Sequence, residues 1–250
     1  MTTQLQTVRA TGTSTETEDS SRESFYIVGG LAALAIVAIV IIQAPIFILY
    51  PQPTTVLGHF TQIQNNKLLG LVDLDLMLIL GEAFTVPVLI ALFIALKKTN
   101  PSLMSIALGL GLSGIAFFII VNPTFSFLYL SDQYAAATTD AQRAALLSAG
   151  EALWANYNGT AFGLFFILGG IADLMIAIVI LQSSIFGKAT AFTGMAMGAM
   201  MLVPPLPPFG MVALVLSYIV IVPSMIWNIL LGIRFLQLAK ANTASAPNQS

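Results

Sequence analysis

The chain has 250 residues, of which 57% are hydrophobic and only 8% charged, with a formal net charge of −2. Soluble domains carry charge on about a quarter of their residues, so this composition excludes an ordinary water-soluble domain. With no basic surface it excludes nucleic-acid binding. With no cysteine it excludes disulfides, thiolate metal sites and iron–sulfur clusters, and a lone His59 excludes bis-histidine haem and His-rich zinc sites within one chain.

Residues 1–24 are rich in Thr, Ser and Glu and read as a disordered polar tail. The apolar run that follows is too long for a signal-peptide core. Six runs are long enough, or nearly so, to cross a ~30 Å hydrocarbon core as helices. They cover about 25–50, 71–96, 103–130, 160–182, 189–203 and 209–238. Prolines 51 and 53, the segment Lys97-Lys98-Thr99-Asn100-Pro101, a polar loop, Ser183-Ser184 and the prolines 204, 205, 207 and 208 separate them. The fifth run is short, about 23 Å at helical rise, and is expected to extend into its flanks. Residues 239–250 read as a second disordered tail.

Between the third and fourth runs, Thr139 and Gln142 have capping-box spacing, and 141–154 holds strong helix formers. A short amphipathic external helix is expected there, with Leu146, Leu147, Leu153 and Trp154 along the membrane interface. With six spans, Arg9, Arg22, Lys97, Lys98, Lys188, Arg234 and Lys240 fall on one side. Only Lys67 and Arg143 fall on the other. This bias places both termini in the cytoplasm and the protein in the plasma membrane. The expected fold is therefore all-α, an integral membrane bundle of six transmembrane helices.

Four carboxylates lie in or at the edges of the runs. Glu82 and Asp173 fall near mid-span, where a charge is costly and marks a functional or packing site. No Lys, Arg or His shares the core of any span, so each acid stands alone in the sequence. Asp75 lies seven residues before Glu82 on the same helical face. Thr85 and Pro87 follow, and Pro87 frees the carbonyl of Ala83, which makes a cation or proton site or a kinked packing helix. Asp73 and Asp75, near the outer boundary, are expected to be solvated. Asn228, in the last run, is expected to hydrogen-bond a neighbouring helix. Gly109, Gly111, Gly114, Gly194 and Gly198 fit close helix packing, and Met195, Met197, Met200 and Met201 fit adaptable packing.

Several enzyme classes are excluded. His59 lies away from any span-embedded serine, no mid-span lysine exists for a Schiff base, and no phosphate-binding or dinucleotide fingerprint appears. No cofactor is expected. Three readings stay open. The first is binding or translocation of a small solute or ion at Glu82 and Asp173, with Asp75, Asp73, Thr85 and Asn228 as further candidates. The second is a structural or regulatory protein, homo-oligomeric in one form, whose acids lock helices together. The third is a carboxylate-dependent membrane enzyme acting on lipid. The partners implied are the lipid bilayer and a small solute or ion.

The chain resembles the six-helix bacterial membrane proteins grouped as domain of unknown function 4386. The resemblance covers about residues 25–238. It rests on Leu71-Val72-Asp73-Leu74 and on Tyr134 with Thr139-Asp140-Ala141-Gln142-Arg143-Ala144 leading into Phe162-Gly163-Leu164-Phe165-Phe166. It rests also on Pro223-Ser224-Met225-Ile226-Trp227-Asn228 with Leu230, Leu231 and Gly232. It implies the six-span topology and no activity. An acid is expected in similar proteins where Asn228 stands, so this chain would lack one ionisable group.

Overall fold

The computed structural model describes residues 2–50, 52–203 and 219–245, and among them there is no strand. The helices are α1 (Thr2–Leu49), α2 (Val56–Asn65), α3 (Lys67–Asp73), α4 (Leu76–Leu96), α5 (Pro101–Val121), α6 (Thr124–Ala136), α7 (Asp140–Asn156), α8 (Phe162–Gln182), α9 (Lys188–Met201) and α10 (Ile221–Ser245). A π-helical turn, Tyr157–Ala161, joins α7 to α8.

The polar segments expected as tails are partly helical. Residues 2–23 continue into the apolar part of α1, since no proline interrupts the hydrogen-bond ladder before Pro45. At the other end α10 runs on to Ser245. The second run is not one helix from residue 71. It breaks at Leu74–Asp75, where Asp75 adopts a left-handed backbone with φ 71°. Asp tolerates that conformation better than most residues because its short polar side chain bonds locally.

The third run is capped by Asn100, whose side chain accepts from Leu103 N, with Pro101 opening the helix. It stops at Asn122 because the next residue is Pro123, and a residue before proline avoids the helical region. The helix expected between the third and fourth runs is α7. Its start is a full capping box between Thr139 and Gln142. Through the π-turn it runs on into α8 without a loop.

Five helical stretches are long and apolar enough to cross a membrane: Ser21–Phe47, Leu76–Leu96, Pro101–Ala136, Asp140–Gln182 and Ile221–Ala241. The 14-residue α9 is about 21 Å long and falls short. The expected extension of the fifth run and the start of the sixth lie outside the described residues.

The long rods close a ring in the order α1, α4, α5, α8, α9, α10 and back to α1. Small residues set the tightest of these contacts. A Cβ added at Gly198 would lie 2.8 Å from Gly170 O, and one at Gly170 would lie 2.8 Å from Gly198 O, so α8 and α9 meet backbone to backbone. The ring's core runs from Ala33 and Ala91 through Leu92, Ala107 and Ile176 to Leu231 and Phe235. Its outer surface is apolar, with Ile120 80%, Phe192 60% and Val222 59% exposed. Over one end α2, α3, α6 and α7 gather into a cap around Phe60, Ile63, Leu74 and Phe127.

Candidate functional site

Glu82 on α4 and Asp173 on α8 stand across the ring from each other and within electrostatic reach. Neither acid is alone, as the sequence had suggested; ring closure brings them together. Protein packs around both, and both side chains are half-buried. No basic group among the described residues contributes to the field at either one. Thr85, one turn beyond Glu82, donates its hydroxyl to Gly81 O at 3.1 Å, within its own helix. It is half-buried and spans the turn just before Pro87.

On the cap side of Glu82, Leu78 and Ile79 pack against Phe118, Tyr157, Phe165 and Phe166. Above this apolar layer three backbone irregularities converge: the left-handed Asp75, the Asn122–Pro123 break and the π-turn at Tyr157. The Tyr157 hydroxyl donates to Asp75 Oδ2 at 2.6 Å. Asn122 and Glu82 also lie within electrostatic reach of that hydroxyl. Thr124 Oγ1 approaches Asn122 Oδ1 at 2.6 Å and also contacts Leu74 O, stitching the second break to the first. Its single proton serves one acceptor at a time.

Asp73 is not solvated, contrary to expectation, while Asp75 is half-buried. Asp73 is fully buried, because the α3–α4 break folds it under the cap, where Gln52 Nε2 donates to its backbone carbonyl at 2.5 Å. Gln62 lies beside its carboxyl, yet Asp73 Oδ1, Asp73 Oδ2 and Gln62 Oε1 have no hydrogen-bond partner among the described residues. Burial pushes the Asp73 carboxyl up to about 6; the Gln62 side chain opposes the shift and Asp75 adds to it. Burial also raises Asp75 to about 6, against the Tyr157 hydrogen bond.

His59 is buried in α2 with its ring 4.9 Å from Trp154 and 5.8 Å from Phe127, and burial lowers it to about 4. Asn228 is buried on α10, and its Nδ2 donates to Ser224 O at 2.9 Å in its own helix. That bond stays within the helix, reaching the carbonyl one turn back, instead of joining a neighbouring helix as expected.

Nothing in the local sequence singles out Gln62, Thr124 or Tyr157 for this junction. The Asn-Pro pair was the one available signal for this junction. No group of three or more His, Asp or Glu side chains able to hold a metal occurs among the described residues. The open cleft between α6 and α7, lined by Phe125, Tyr129, Leu130 and Leu153, contains none of the acids.

No protein-family model, curated protein or solved structure matches this chain.

Proposed function

We propose that this chain is a six-span plasma-membrane protein, both termini cytoplasmic, that binds or translocates a small cation at Glu82 and Asp173. The observation that carries the reading is that two carboxylates, 91 positions apart in the chain and on helices that touch, lie within electrostatic reach without a basic group in their field. In a low-dielectric interior two such groups cannot both stay charged and unaccompanied; either protons or a cation must share the site. Both side chains are half-buried, and exchange requires that the exposed part of each meets water rather than lipid.

The topology rests on the charge bias and on the five long apolar helices, with α9 and its undescribed continuation as the remaining crossing. Contacts at the uncapped end support it: Arg234 Nε donates to Ile185 O at 2.5 Å, and Tyr26 stacks on Phe235 at 6.0 Å. The basic ends of α1 and α10 and the loop after α8 thus share one face, the cytoplasmic one on this reading. The α7 segment would lie outside, and the resemblance to the family of unknown function 4386 fits the same topology.

The test uses the absence of native cysteine. Single cysteines replace Leu78 and Thr85, on either side of Glu82, and Ala177 serves as a fully buried control. An impermeant thiol reagent, applied to intact and to permeabilised membranes, should label Thr85→Cys and leave Ala177→Cys unlabelled. Labelling of neither would mean a dry bundle in which the acids are only packing groups.

A further inference from the structure

We propose that the cation reaching Glu82 and Asp173 is a proton, relayed from the cap through Asp75 and the Tyr157 hydroxyl. This rests on the reading of those two acids as a transport site and names what the site carries. The proton-bearing groups form a series: Asp73 neighbours Asp75, Asp75 accepts from Tyr157, and Tyr157 lies within electrostatic reach of Glu82 across the apolar layer, as Glu82 does of Asp173.

Three observations point to a proton rather than a larger ion. The stretch between Asp75 and Glu82 is bordered by Leu78, Ile79, Phe118, Phe165 and Phe166, side chains with no oxygen to replace a metal ion's hydration shell. Asp73 is fully buried beside Gln62, and the buried Asn122 lies beside Tyr157, so polar side chains flank the Asp75–Tyr157 bond on both sides. Both ends of the Asp75–Tyr157 bond sit on irregular backbone, a left-handed residue and a π-turn. Irregularities of both kinds concentrate at functional sites.

The step balances without a co-reactant. Protonated Asp75 gives its proton to the Tyr157 oxygen while the Tyr157 hydroxyl proton leaves towards the Glu82 carboxylate over bridging water. Asp75 ends as a carboxylate, Tyr157 as a neutral phenol and Glu82 as a carboxylic acid. Only O–H bonds break and form, and the concerted exchange leaves no free tyrosinate. Tyr157 then turns its hydroxyl back onto Asp75, the arrangement the structure holds.

The experiment uses full-length protein in phosphatidylethanolamine–phosphatidylglycerol vesicles. These hold a pH-sensitive dye, with an imposed pH gradient and the membrane potential clamped by potassium and valinomycin. Wild type should collapse the gradient. Tyr157→Phe and Asp75→Asn should each slow collapse about 100-fold or more, the scale of a lost proton-transfer group, as should Glu82→Gln. Melting in detergent confirms folding, and Asp75→Asn stands in if Tyr157→Phe does not fold. Wild-type rates in both relay variants, with Glu82→Gln inactive, would overturn the relay and leave the two-acid site standing. Radioactive sodium uptake that Glu82→Gln abolishes, without wild-type proton flux, would overturn the proton as cargo. No movement of either ion by wild type would overturn both.

Discussion

His59, Asp73 and Asp75 are titratable groups buried in the cap, and their burial shapes the protein's acid response in opposite directions. His59 folds as the neutral ring, lowered from 6.5 to about 4. Between those values the unfolded chain binds a proton that the folded chain refuses, so His59 costs stability as pH falls through this window. Asp73 and Asp75 are raised from 3.8 to about 6, so between those values the folded chain holds protons that the unfolded chain has released. They add stability as pH falls. The His59 and Asp73 contributions are each about 3 kcal/mol at full extent and largely cancel. His59→Leu should therefore remove one side of the balance. Its melting temperature relative to wild type should rise by several degrees between pH 6.5 and pH 4.5, measured in detergent. An unchanged difference across that range would show that His59 is not buried as a neutral ring.

At the scale of the elements, ring closure depends on where side chains are missing. Gly194 on α9 lies under the Trp227 ring of α10, and a Cβ there would sit 2.0 Å from Trp227 Cζ3. Gly194→Ala should cost about 1–3 kcal/mol through overpacking. Trp227→Leu should recover part of the loss, so the double variant is more stable than the sum of the singles predicts; additive losses would place the strain elsewhere. The cap on α7 is a smaller, separate effect. Thr139→Ala should cost about 1 kcal/mol and speed amide exchange in the first turn of α7 alone.

Some element boundaries were readable from residues and some were not. Asn100-Pro101 and the Thr139–Gln142 box each announced a boundary, because proline and capping chemistry act locally, whereas the third run was expected to continue through Asn122-Pro123, where α5 ends. The break at Leu74–Asp75 sits in an apolar-acidic run with no Gly or Pro. It is held by Tyr157, 82 residues away. No local pattern encodes that contact. The polar composition of the two end segments says little about whether a helix, once started, continues.

For the whole molecule, six rods in a closed ring with a cap over one end turn scattered acids into an ordered series. The depth of Glu82 and Asp173 was visible in the sequence, since each falls near the middle of its apolar run. Their mutual approach was not, because it requires α4 and α8 to face each other across a ring whose order differs from chain order. The same holds for Asp73, whose position near a boundary suggested solvation until the cap buried it. The proposed function requires that Glu82 and Asp173 act as one site. Carboxyl infrared titration of the reconstituted protein tests it most directly, comparing wild type with Glu82→Gln and Asp173→Asn. Interacting acids titrate as a pair, so each single substitution should move the midpoint of the acid that remains. If the remaining acid titrates in each variant as it does in wild type, the two carboxyls are independent and the site does not exist.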